Sequence, residues 1–202
     1  MNPMEILFFS TSVIFLLMGS YFHIGTRYKT IYDKISTIIY FTASLIYATM
    51  GLLYLDNPYF MIRAFRYLDW VITIPLLLYQ FYLFLHRNKR NPIDILTLIF
   101  LSFLMLMFGF LGEIHWMDKH LANVLGILPA IYMFYLIFSK SKKTDRSFFI
   151  LMSTLWLFYP IVYLLEETNV TLVLWSIIDI ITKIGTGLFI RHKKSINLKK
   201  LT

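Results

Sequence analysis

The 202 residues are 58% hydrophobic and 18% aromatic, only 15% are charged, and the mean hydropathy is +0.68. That balance excludes an ordinary soluble domain and makes lipid the expected solvent. There is no cysteine, which excludes disulfides, thiolate metal sites and cysteine nucleophiles, and the net charge of +8 is placed in a way that speaks against nucleic acid.

A membrane-spanning helix needs roughly 20 mainly apolar residues. Seven stretches qualify in chain order: Met4–Ile24, Tyr32–Leu55, Met61–Leu85, Ile93–Gly112, Leu121–Phe138, Ser147–Leu165 and Thr171–Ile190. The first has no basic region ahead of its apolar run and no small-residue cleavage site, which predicts a retained helix rather than a signal peptide. The connections are short, with no repeat or Gly/Ser/Pro-rich linker, so successive helices should be antiparallel neighbours within one domain, 1–202. Strands of a barrel would alternate in polarity over about ten residues, and these long apolar runs do not. The expected fold is an all-α bundle of seven transmembrane helices.

The basic residues orient it. Arg27, Lys29 and Lys34 follow the first span; Arg87, Lys89 and Arg90 follow the third; Lys140, Lys142, Lys143 and Arg146 follow the fifth; Arg191, Lys193, Lys194, Lys199 and Lys200 follow the seventh. All fall on one side, whereas the other has Arg63 and Lys119 beside Asp56, Glu113, Asp118, Glu166 and Glu167. The positive-inside rule then predicts an extracellular N-terminus and a cytoplasmic C-terminus. The basic stretch His192–Thr202 is expected to meet anionic lipid headgroups.

Four charges fall near the middle of spans: Arg66 and Asp69 in the third, Asp179 and Lys183 in the seventh. A bilayer penalises each by about 2.5–3.5 kcal/mol even on lenient scales, so such residues are functional candidates. Residues three or four apart share a helix face. Asp179 therefore stacks on Lys183, and Arg66, Asp69 and Thr73 line one stripe that Gln80 extends. If the two faces meet, two carboxylates and one arginine surround one lysine, whose amine, held out of water, is suited to condensing with an aldehyde. An ion-pair cluster that glues helices or lines a solute pathway would use the same residues. Trp70 beside Asp69, and Trp156, Tyr159, Pro160 and Tyr163 on one face of the sixth helix, add flat rings that suit a conjugated polyene, although such stripes also serve ordinary packing. Pro160 removes a backbone donor and so favours a bend.

These residues carry a resemblance. Arg66-Tyr67-Leu68-Asp69-Trp70-Val71-Ile72-Thr73-Ile74-Pro75-Leu76-Leu77, within Phe65 to Leu83, resembles the third helix of microbial (type 1) rhodopsins, proteorhodopsins in particular. Met105-Leu106-Met107-Phe108-Gly109-Phe110-Leu111-Gly112-Glu113 resembles their fourth helix, Trp156-Leu157-Phe158-Tyr159-Pro160 their sixth, and Asp179-Ile180-Ile181-Thr182-Lys183-Ile184-Gly185 their seventh. The brief first two helices are similar to those of smaller rhodopsins, including schizorhodopsins and some viral ones.

The resemblance implies all-trans retinal on Lys183 as a Schiff base, Asp69 as primary counterion and proton acceptor, Asp179 as second counterion, and Arg66 as the link to the extracellular side. It implies a polyene pocket of Trp70, Thr73, Leu77, Met105, Gly109, Trp156, Tyr159, Pro160 and Tyr163, with Thr182 beside the lysine. Leu77 matches green-absorbing proteorhodopsins, whereas Thr182 could oppose that colour. It also implies an integral protein of the cell membrane that moves protons or other small ions, forms trimers or pentamers, and is not an enzyme.

The pattern departs from proton-exporting relatives in two places. Their cytoplasmic donor carboxylate is here Gln80, which cannot give up a proton, and the second span has no histidine to partner Asp69. Asp33 and Asp94 are expected to be exposed interfacial residues, Glu166 and Glu167 a solvated loop pair, and His23, His86, His115, His120 and His192 interfacial or solvent-facing. The expected function is a light-driven outward proton pump with a slow return step. A light-gated channel, a slow-cycling photosensor and an inward pump are the alternatives. Schizorhodopsins, which carry protons inward, usually lack a carboxylate where Asp69 stands. Sodium pumps place a different polar pair at the positions of Asp69 and Thr73, and a carboxylate at 69 would repel a halide.

Overall fold

The computed structural model describes residues 2–25, 30–54, 58–86, 91–139, 146–165 and 168–199. Its elements are α1 (Pro3–Ile24), α2 (Ile31–Leu53), α3 (Pro58–Leu85), α4 (Pro92–Glu113), α5 (Lys119–Ser139), α6 (Arg146–Trp156), α7 (Phe158–Leu164) and α8 (Asn169–Lys199). Seven segments are long and apolar enough to cross a membrane, with α6 and α7 together forming the sixth. Among the described residues there is no strand.

Local sequence sets the helix starts. Asn2 accepts from the Met4 amide ahead of Pro3, and Asn91 accepts from the Ile93 amide ahead of Pro92, so each proline sits where no backbone donor is needed. Thr30 and Asp33 form a reciprocal capping box at α2. The sixth span is not the single helix that the sequence suggests. It breaks at Leu157, because the ring of Pro160 cannot coexist with a regular helical bond at the carbonyl four residues back, that of Trp156, where α6 ends. The seventh continues past Ile190 as helix to Lys199.

Neighbouring helices pack in sequence, and α8 closes the bundle against α1, α2, α3, α6 and α7. Leu17, Leu45, Leu96 and Leu128 remain exposed on the outer faces, as a lipid solvent permits. Polar groups tie the interior. Ser12 Oγ donates to the Ser44 carbonyl at 2.8 Å and Ser44 Oγ to the Ser12 carbonyl at 2.9 Å, stitching α1 to α2. This arrangement brings α3 and α8 together, with α2 against both, α4 and α5 against α3, and α7 against α8.

Candidate functional site

On α3, Arg66, Asp69 and Thr73 are all buried, and on α8 so are Asp179 and Lys183. The helix repeat that grouped them in sequence turns both sets inward. Lys183 Nζ forms an ion pair with Asp69 Oδ2 and lies 3.3 Å from Asp179 Oδ2. A buried ammonium needs such partners, since an unpaired one would cost several kcal/mol.

The two carboxylates differ in their surroundings. Asp179 accepts from Tyr47 Oη at 2.8 Å, Trp70 Nε1 at 3.1 Å and Tyr159 Oη at 2.7 Å. Asp69 Oδ1 has no hydrogen-bond partner among the described residues. Thr73 Oγ1 turns back to the Asp69 carbonyl at 2.9 Å, and Thr182 Oγ1 lies 3.1 Å from Tyr159 Oη.

Arg66 does not join the lysine, contrary to the expected ring of two carboxylates and one arginine. Its guanidinium carbon lies 5.4 Å from the Trp175 ring centroid, and neither Nη1 nor Nη2 has a partner among the described residues. It borders a second cavity together with Arg63, Glu113 and Lys119. Gln80 is also separate from the lysine: its Nε2 donates to the Tyr32 carbonyl at 3.0 Å and to Ser36 Oγ at 2.7 Å, both on α2.

Lys183, Trp70, Thr73, Leu77, Met105, Gly109, Trp156, Tyr159, Pro160, Tyr163 and Thr182 border one cavity, of about 960 Å³ counting its open mouth. Asp179 borders it too. The rings interlock, with Trp70 edge-on to Tyr159 at 5.4 Å and 5.0 Å from Trp175. Gly109 matters through its missing side chain. A Cβ there would lie 2.8 Å from Tyr67 Oη, while its carbonyl accepts from Tyr163 Oη at 3.0 Å. An apolar, ring-walled cavity with a buried primary amine on its lining fits a long polyene aldehyde held through that amine.

Sequence reasoning missed several of these residues. Tyr47 was visible only as one tyrosine among many on α2, whereas Trp175, one turn before Asp179, had the same helical spacing that singled out Lys183. Asn123, Gly126 and Phe134 bring α5 into the cavity wall, and nothing in their local pattern marks them.

Three expectations about exposure are corrected. Asp33 is buried and caps α2 by accepting from the Thr30 amide and hydroxyl at 2.9 and 2.6 Å. Asp94 is buried and accepts from Tyr82 Oη at 3.0 Å. His86 is buried too, its ring stacked on Tyr82 at 4.2 Å with Nδ1 2.9 Å from the Tyr82 carbonyl. In each case a helix end lies against a neighbouring element, which covers a position that is exposed on an isolated helix. Glu113 lies 3.6 Å from Arg63. Glu166, Glu167, Arg27, Lys29, Arg87, Lys89, Arg90, Lys140, Lys142, Lys143 and Lys200 lie outside the described residues.

A sequence model of the family described as bacteriorhodopsin-like protein matches residues 2–195. The chain is 33% identical over 90 residues to the green-light absorbing proteorhodopsin of the gamma-proteobacterium EBAC31A08, a stretch that makes up 44% of this chain and 34% of that protein. This match therefore spans about a third of that relative's length. The viral rhodopsin OLPVRII superposes with a TM-score of 0.85 at 23% identity, covering 94% of this chain and 96% of that one. The blue light-absorbing proteorhodopsin from Med12 gives 0.82 at 23% identity, with 98% and 100% covered. The proton pumping rhodopsin AR2 from the marine alga Acetabularia acetabulum gives 0.85 at 22% identity, with 98% and 97% covered. These structures share the fold, and the family match runs through all seven spans: the chain belongs to the bacteriorhodopsin-like family, a microbial rhodopsin integral to the cell membrane.

Proposed function

We propose that this protein holds all-trans retinal covalently on Lys183 and acts as a light-driven outward proton pump. The observation that carries the reading is the buried Lys183 Nζ, paired with Asp69 and Asp179 and bordering a ring-walled cavity. Bound as a Schiff base, retinal supplies visible absorption and a light-driven change of shape at the lysine end.

The protein's own groups then divide the work. Asp69, with one oxygen on Lys183 Nζ and the other without a partner among the described residues, takes the proton from Nζ. Asp179, with three neutral donors fixing its carboxylate, remains beside Nζ as its second partner. Arg66 and its separate cavity with Arg63, Glu113 and Lys119 lie on the N-terminal side of α3, and the distribution of basic residues assigns that side to the exterior. Release from there makes transport outward.

Gln80 has no proton to give, so the return to Nζ is the slow step. The neighbouring named relatives include proteorhodopsins and a proton pumping rhodopsin, which supports pumping over a light-gated channel or a slow-cycling photosensor. Leu77 on the cavity wall favours green absorption, and assembly into trimers or pentamers completes the reading.

The test is the pH of an unbuffered suspension of retinal-supplied cells under illumination, with and without a protonophore. Acidification abolished by the protonophore is expected. Alkalinisation abolished by it would assign inward movement, and coloured cells with no pH change would assign a channel or sensor.

A further inference from the structure

Away from the carboxylates, a second set of buried polar groups reaches the attachment lysine through its backbone. Tyr40 Oη, on α2, donates to the Lys183 carbonyl in the middle of α8 at 3.1 Å. The tyrosine is 1% exposed, and its ring is wedged against Phe22 edge-on at 5.3 Å and stacked with Phe15 at 6.3 Å. Tyr40 does not border the ring-walled cavity.

Gly187, one turn beyond Lys183, is the receptacle for this contact. A Cβ at Gly187 would lie 1.9 Å from Tyr40 Oη and 3.1 Å from Ser36 Oγ. Any side chain there would displace the Tyr40 hydroxyl from its place. Ser36 in turn accepts from Gln80 Nε2 at 2.7 Å, and Gln80 also donates to the Tyr32 carbonyl. Tyr32 Oη completes the layer by donating to the Leu83 carbonyl on α3 at 3.0 Å. Tyr32, Ser36 and Tyr40 lie four residues apart on α2, so one face of that helix meets both α3 and α8.

We propose that Tyr40 is a positioning residue for Lys183, and that Tyr40, Ser36, Gln80 and Gly187 form an uncharged clasp that shuts the bundle on the Gln80 side. This rests on the retinal reading above. None of Tyr40, Ser36 or Gln80 is a ready proton source at neutral pH. A proton returning to Lys183 Nζ from that side, from bulk water or from a group beyond the layer, must therefore cross the clasp. The layer is buried and tied at several points, so its opening limits the return. Gln80 Oε1, buried and without a partner among the described residues, is the acceptor that entering water would meet.

The experiment compares the full-length, retinal-supplied wild type with Tyr40→Phe, which removes one hydroxyl and keeps the ring packing. Two quantities are read: hydrogen exchange of the backbone amides of residues 183–187 in the dark, and the rate at which the visible band recovers after a flash. Exchange should rise and recovery should quicken by about tenfold, the equivalent of about 1.4 kcal/mol, at an unchanged absorption maximum. Unchanged exchange, or recovery that is unchanged or slower, would overturn the clasp while leaving the retinal reading intact. If Tyr40→Phe is colourless and the wild type is coloured, Ser36→Ala gives the decisive pair, since it breaks the Gln80 link without touching Lys183. A wild type that takes up no retinal would overturn the proposed function and this inference with it.

Discussion

The indole Nε1 of Trp70, on α3, donates to Asp179 Oδ1, on α8, at 3.1 Å. With Tyr47 and Tyr159 it makes Asp179 the most heavily bonded carboxylate of the central pair, although Asp69 adjoins Trp70 in sequence. Hydrogen bonds to a charged acceptor contribute about 1.5–3 kcal/mol each. Asp179→Asn should therefore lower stability by on the order of 2 kcal/mol, and by more than Asp69→Asn does. Thermal unfolding of the two variants in the same detergent measures the order, and an equal loss would show that the three donors do not set Asp179 apart from Asp69.

Among the described residues, Lys183 supplies the only primary amine on the cavity lining. Lys183→Ala should abolish the visible chromophore while leaving the helical circular dichroism signal in place. Retained colour in the purified variant would remove Lys183 from the attachment role.

Asp69 is the nearer partner of Lys183 Nζ. Replacing its charge in Asp69→Asn removes a negative group from beside the cation, which should shift absorption to the red and eliminate light-driven acidification. Absorption spectra and the unbuffered cell assay report the two effects separately. An unchanged spectrum would transfer the counterion role to Asp179.

On the proposed reading, Gln80 stands where proton-exporting relatives carry a donor carboxylate, and its amide cannot act as one. Gln80→Glu should quicken recovery of the visible band after a flash by about tenfold or more, because general acid help in a positioned site contributes about 10²–10⁴-fold. No acceleration would indicate a return route that bypasses α3.

Gly112 marks a close approach of α4 to α5 and α7. A Cβ there would lie 2.1 Å from Tyr163 Oη and 2.6 Å from the Ala122 Cβ. Gly112→Ala should cost about 1–3 kcal/mol through overpacking, read as a lower temperature for loss of colour or helix content. Tyr163→Phe in the same background relieves the closer clash and should recover part of the loss.

The seven spans were legible in the sequence because lipid demands long apolar runs, and no tertiary detail alters that demand. The pairing of Asp179 with Lys183, and of Arg66 with Asp69 and Thr73, was legible because the 3.6-residue repeat fixes which side chains share a face. What the repeat could not state is which faces meet and at what height. Only the packed bundle put Lys183 against Asp69, turned Arg66 towards a separate cavity, gave Asp179 a tyrosine from α2, and drew α5 into the cavity wall. The same holds for Asp33, Asp94 and His86, which read as exposed ends on isolated helices and are buried once neighbouring elements cover them. Periodicity is a property of one helix, whereas height, rotation and burial are set by contacts between residues far apart in the chain.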